Sequence, residues 1–393
     1  MPAIAGEWDF DAEVAAELRY FPNDPIFPGQ LEHFQPSFVV QPDIRWETQD
    51  RAHQLVVIPF VRVDGQDEER THFDLREGYY RYNADNGWSL TLGAAKVFWG
   101  KTESRHLVDI INQSDAVEDV DEEDKLGQPM ANLTLLNDWG TVDLFVMSGF
   151  RDRTFPGVDG RPRFGLVVDT DNPIFERDWR RGAVDVAARY AHYIGNWDFG
   201  VSVFHGTSRE PRFALAADGQ RILPVYDKIT QGGLDIQYTK DAWLWKFEAI
   251  VREGQGDVFF AGVGGFEYTL YQIFGGNFDL GLLAEYQYDG RDEGFVLEGF
   301  GPTTAAPVTF ADNDVFAGAR LALNDQQDTS LLAGVTVDAD DQSLGMFIEA
   351  ERRLGSSWTA ELETRLFLNP DPGNAAFPIR ADDFLTLRLT RFF

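Results

Sequence analysis

The 393 residues contain no cysteine, which removes disulfides, thiolate metal sites and thiol nucleophiles. No apolar run reaches the roughly eighteen residues that a membrane helix needs. Basic side chains are scarce: 34 Lys and Arg stand against 65 Asp and Glu, a formal net charge of -31. That balance argues against holding nucleic acid or anionic lipid on a basic face. Enzyme motifs are also missing. The six histidines show no His-x-x-x-His or His-Glu-x-x-His spacing. There is no Gly-x-Ser-x-Gly, and Gly262-Val-Gly-Gly265 lies inside a strand pattern and not ahead of a helix. Without Cys-x-x-Cys-His, any haem would belong to a partner. The chain is therefore not expected to be an enzyme.

What is present is a period of two. In Phe384-Leu-Thr-Leu-Arg-Leu-Thr-Arg-Phe-Phe393, the leucines 385, 387 and 389 point one way, and Thr386, Arg388 and Thr390 the other. Near the start, Trp8, Phe10, Ala12, Val14, Ala16 and Leu18 alternate with Asp9, Asp11, Glu13, Ala15, Glu17 and Arg19. A first and a last strand, each with one apolar and one wet face, can close a β-barrel in a membrane. A mean hydropathy of -0.29 is what averaging such strands gives, and 14% aromatics fit interfacial girdles.

About eighteen such segments follow one another, near 7–20, 34–47, 53–63, 71–82, 88–99, 128–137, 140–151, 181–193, 197–206, 226–239, 243–253, 258–273, 278–289, 313–323, 329–338, 343–353, 357–368 and 383–393. Sixteen is the neighbouring even count. Short turns alternate with longer links, the longest at 100–127, 152–180, 207–225 and 290–312; the links at 254–257 and 339–342 are short. Trp88, Trp139, Trp197, Trp243 and Trp358 each sit at or just after a short turn, where an indole favours a membrane interface. The expectation is all-β: a single-domain transmembrane antiparallel up-and-down β-barrel over residues 1–393, with short periplasmic turns and long extracellular loops. An even strand number puts both ends on the periplasmic side. The expected place is the outer membrane, with a signal peptide already removed and a start Met added.

The closing Leu-x-Leu-x-Leu-x-Arg-Phe-Phe393 resembles the C-terminal assembly signal of outer-membrane proteins, departing from it at Arg391. Asp74-Leu-Arg-Glu-Gly-Tyr-Tyr80, then Leu90-Thr-Leu-Gly-Ala-Ala-Lys-Val-Phe-Trp-Gly100, then Val108-Asp-Ile-Ile-Asn-Gln-Ser-Asp115 resembles a block of the alginate-export family and related long porin-like barrels. The resemblance implies an eighteen-stranded barrel that passes a solute or polymer, and it singles out Glu77 and Lys96.

Alternation with the lipid-facing set places Glu13, Glu17, Arg19, Arg45, Arg189, Glu248, Arg252, Glu349, Glu351, Glu361, Glu363 and Arg388 in the lumen. An Arg or Lys on the lipid face at mid-bilayer would cost about 2–4 kcal/mol. Two uses of these residues stay open: a lattice of Glu–Arg pairs across strands, or a selectivity ladder. With Glu77 and Lys96, the charged residues of loops 100–127 and 152–180 are the expected constriction. Segment Asp115–Asp124 carries seven carboxylates; Asp119, Asp121 and Glu123 could bind Ca²⁺, against the plainer reading of a solvated acidic loop.

The expected function is an outer-membrane porin-like channel for a small solute or polymer, neutral or cationic rather than anionic, because an acidic wall repels a polyuronate. The alternative is a non-conducting scaffold or sheath for a partner in an export or electron-transfer complex. Expected partners are outer-membrane lipid and lipopolysaccharide, the transported solute, and a periplasmic or surface protein; nucleic acid is excluded.

Overall fold

The computed structural model describes residues 6–292, 296–297, 301–302 and 304–393. Alternating residues build an 18-stranded sheet. Its strands are β1 (Gly6–Tyr20), β2 (Phe34–Thr48), β3 (His53–Asp64), β4 (His72–Asn83), β5 (Trp88–Ala95), β6 (Gln128–Asn137), β7 (Gly140–Met147), β8 (Asp185–Ile194) and β9 (Trp197–Thr207). The second half is β10 (Lys228–Lys240), β11 (Trp243–Glu253), β12 (Phe259–Ile273), β13 (Phe278–Asp289), β14 (Asn313–Ala322), β15 (Ser330–Asp338), β16 (Leu344–Arg353), β17 (Trp358–Leu368) and β18 (Phe384–Phe392). Each strand pairs antiparallel with the next. The barrel closes by β1 on β18, in a register running from Glu13 opposite Phe392 to Tyr20 opposite Leu385. Closure leaves no sheet edge unpaired.

All eighteen expected segments are strands, with ends that differ by a few residues. β5 stops at Ala95 and β7 at Met147, short of the expected 99 and 151, because the chain there leaves the wall. Short turns gather at one end of the barrel, with both chain ends, and the long loops at the other. The loop expected at 290–312 falls partly outside the described residues.

The outside is apolar. Trp8, Phe10, Val61, Val146, Val201, Phe260 and Leu387 are exposed on it. Near the turn end it carries an aromatic girdle: Trp8 and Trp46 rings lie 6.4 Å apart, and Trp243 stacks on Trp245 at 5.5 Å. Arg391 faces outward there, with its guanidinium over Trp358 and Phe393, where a cation can rest at the interface.

Candidate functional site: a plugged lumen with one open side

After Ala95 the chain turns into the barrel. Gly93 makes the departure possible: it sits at φ 131°, and a Cβ there would collide with the Gly78 carbonyl and Tyr79. Loop 96–127 then crosses the lumen. Its Leu107, Val108, Ile110 and Ile111 pack on Phe145, Met147, Phe204, Ile250, Phe259 and Val263, which point inward from β7, β9, β11 and β12. Burying each aliphatic side chain stabilises this seat by about 1.5–3 kcal/mol. This is a correction to strict alternation. On this wall apolar residues also face inward, because the loop gives them something to pack against. The legible signal was strands apolar on both faces, such as Phe145-Val-Met147, beside the run Leu107–Ile111.

Two wall carboxylates hold the loop by its backbone. Glu248 accepts hydrogen bonds from the Lys101 and Thr102 amides at 2.6 and 3.0 Å, the Thr102 hydroxyl at 2.8 Å and the Val108 amide at 3.2 Å. Glu285 accepts from the Glu103 and Ser104 amides at 2.9 and 2.8 Å. Charge-assisted bonds of this kind are the stronger ones.

The far end of the loop docks on β1, β3 and β4 through buried ion pairs. Arg62 bridges Glu17 (2.9 Å) and Glu118 (2.5 Å). Arg70 reaches Glu17 at 2.8 Å, Arg19 reaches Asp119 at 3.0 Å, and Arg76 reaches Asp115 at 2.6 Å. Burial pushes the Asp115 carboxyl up, but the His72 imidazole 3.5 Å away and the Arg76 charge outweigh it and hold Asp115 well below the carboxylate range.

Loop 148–184 lies over the loop-end mouth. Arg161 is buried against Asp382 at 2.7 Å, and the Gly157 amide donates to Asp67. Val167–Val168 and Ile174–Phe175 pair with Arg221–Tyr226, itself half of a hairpin with Arg212–Leu215. Sequence reading did not find this small sheet, whose strands are too short for a periodic pattern.

The lumen residues expected from alternation thus fall into two groups. Under the plug, Arg189 donates two hydrogen bonds to the Asp235 carboxylate at 2.7 and 2.8 Å, Arg252 pairs with Glu210 at 2.7 Å, and Glu17, Arg19 and Glu248 act as anchors. On the other side, β16, β17, β18, β1 and β2 keep a wetter wall. Here Glu349 lies opposite Glu363 and Glu351 opposite Glu361; Glu7 lies opposite Glu47 and Asp11 opposite Asp43. Arg365 bridges Glu349 and Glu363, each at 2.8 Å. Arg388 reaches Glu361 only at 3.9 Å. Glu7, Asp9, Asp11, Glu13 and Glu351 have no ion pair among the described residues. Arg45 pairs within its own strand with Asp43 at 2.7 Å. A bulge between Ile58 and Pro59 of β3 and Glu77 and Leu75 of β4 shifts the alternation there, and Glu77 accepts from the Lys96 amide at 3.2 Å. The Lys96 amine is exposed and has no partner among the described residues. Structure thus adds Glu7, Asp9 and Asp11 to the wet wall; their place in the β1 alternation was the sign of it.

Asp119 faces Arg19, Asp121 faces Arg365 at 2.8 Å, and Glu123 has no ion pair among the described residues. Carboxylate and imidazole atoms converge within 4.8 Å elsewhere, at His72/Asp115/Glu118 and at Asp312/Asp338/Asp340. In the first group Arg62 and Arg76 already neutralise the carboxylates.

Between plug and wet wall lies a cavity of 560 Å³, bordered by Glu103 and Asp121 of the loop and by Arg320, Phe347, Glu349 and Arg365 of the wall. A second cavity of 320 Å³ adjoins it toward the loop end.

This closed 18-stranded architecture is that of outer-membrane β-barrels. The chain is similar in structure to OccK2 (OpdF) of Pseudomonas aeruginosa, with a TM-score of 0.54 at 13% identity over 98% of this chain and 97% of that one. It is similar to OccK11 (OpdR) of the same organism (TM-score 0.53, 12% identity, 99% and 96% covered). It is also similar to Wzi of Escherichia coli, described as a carbohydrate-binding β-barrel in capsule assembly (TM-score 0.54, 9% identity, 96% and 83% covered). No family model and no curated protein matches the chain.

Proposed function

We propose that the chain is an outer-membrane channel, narrowed by loop 96–127, that passes small neutral or cationic solutes along the β14–β2 side of its lumen. The apolar exterior and turn-end tryptophans support a seat in lipid, with the turns periplasmic, the loops outside and lipopolysaccharide around the loop end. The observation that carries the reading is the set of like-charged pairs across neighbouring strands, Glu351 with Glu361 and Asp11 with Asp43. Like charges directly opposite destabilise a sheet. A wall that keeps them open to the lumen, where the acidic groups of β8–β13 are mostly tied to arginines or to amides of loop 96–127, is suited to attracting cations and repelling anions. The likeness to the alginate-export family rests on the 74–115 segment, and this wall disfavours a polyuronate.

The filled half of the lumen favours a second reading: a closed barrel that serves as scaffold for a protein partner. Liposome swelling separates the two. Vesicles carrying the protein should swell with a small sugar or an amino-acid amide and resist an anionic uronate of equal size. Folded, inserted protein that admits none of them favours the scaffold.

A further inference from the structure

We infer that the 320 Å³ cavity at the loop end is a binding site for an organic ammonium ion with an apolar body. The inference rests on the channel reading and names the solute class it admits. The cavity is built mostly of apolar side chains: Phe164 and Leu166 from loop 148–184, Phe310 from the loop before β14, and Leu344 and Phe367 from the wall. Its size suits a group of one or two rings.

One carboxylate belongs to this apolar wall. Asp314 is 3% exposed, lines the cavity, and accepts a hydrogen bond from the amide of its neighbour Asn313 at 3.2 Å. No Lys, Arg or His nitrogen comes within 4.0 Å of it among the described residues, and Asp312 and Asp338 add like charge beside it. The two arginines of the cavity are committed elsewhere. Arg163 donates to the carbonyls of Val158, Phe164 and Pro28 at 2.8–3.0 Å, and Arg153 pairs with Glu122 at 2.5 Å.

A buried carboxylate without a counter-charge is costly. A ligand that brings a cation to Asp314 and lays an apolar ring against Phe164, Phe310 and Phe367 meets both needs, and the ring faces themselves attract a cation. A neutral apolar molecule would leave Asp314 unpaired; a hydrated metal ion would make no use of the apolar walls; an anion would meet Asp314 directly.

Calorimetric titration of the detergent-solubilised protein tests this without any need for conduction, so loss of the channel reading and loss of the site are separate results. Benzyltrimethylammonium should bind at least tenfold more tightly than tetramethylammonium or benzyl alcohol. Asp314→Asn should remove most of that preference over benzyl alcohol, and Phe310→Ala, on an exposed loop, most of that over tetramethylammonium. Equal binding of benzyl alcohol and benzyltrimethylammonium would overturn the proposal. So would binding that Ca²⁺ abolishes while Phe310→Ala leaves it unchanged, which would assign the acidic groups to the metal alone.

Discussion

Glu351 of β16 lies directly across from Glu361 of β17 on the inner face of the barrel; among the described residues Glu351 has no ion pair, and Glu361 has only Arg388, at 3.9 Å. Such a pair costs the sheet about 0.2–1 kcal/mol relative to neutral side chains. Replacing both with Gln is therefore expected to leave thermal stability equal or slightly higher while lowering the cation-to-anion permeability ratio. A variant that loses stability without changing selectivity would make the pair structural.

Glu248 holds the plug through three backbone amides and the Thr102 hydroxyl. Glu248→Gln keeps the shape but removes the charge and one acceptor oxygen, for an expected loss of about 1–3 kcal/mol. The loop should then leave its seat more often. Trypsin cleavage after Lys101 or Arg105 should be faster than in the parent protein, and conductance should rise and become noisier.

Arg62 is buried between Glu17 and Glu118. Arg62→Met leaves Glu17 to Arg70 and takes from Glu118 its arginine, and breaking a buried pair in this way costs about 3–5 kcal/mol. Thermal unfolding in detergent should shift down markedly. Adding Glu118→Gln to the same chain should recover part of the loss, because it removes the stranded charge.

Acid should tighten the plug. Enclosure within the lumen and the neighbouring Asp119 push the Asp121 carboxyl up to about 8, against the pull of Arg365 at 2.8 Å, even though water still reaches it. Enclosure by the surrounding barrel and Glu118 raise Asp124 to about 6, though it too is reached by water. Both groups hold protons in the folded state at pH values where the unfolded chain has lost them. The unfolded-minus-folded proton difference is then negative, and stability falls as pH rises from the ordinary carboxylate range to about 8. Amides of 113–126 should exchange more slowly at pH 5.5 than at pH 8.5, after correction for intrinsic rates. The opposite order would contradict this reading of the loop.

The barrel was legible because a strand with lipid on one side and water on the other must alternate, as Leu385, Leu387 and Leu389 do against Thr386, Arg388 and Thr390. The belt was legible too: Trp88, Trp139, Trp197, Trp243 and Trp358 recur at one point of the hairpin cycle, and folding adds Trp8, Trp46 and Trp245 to the same end. What periodicity could not show was which long loop goes inside. Loop 152–180 carries the more varied charges, yet Arg161 spends its own on Asp382 across the mouth. Loop 96–127 enters because Val108 and Ile111 need apolar surface, and strands apolar on both faces supply it. Pairing was also hidden, since Arg62 meets Glu17 and Glu118 only after three distant segments come together.

The most direct test of an acid-lined, cation-preferring passage is the reversal potential of single channels in a planar bilayer across a KCl gradient. The account predicts steady conductance and a reversal potential displaced toward the K⁺ equilibrium potential. Displacement toward the Cl⁻ equilibrium potential would contradict it.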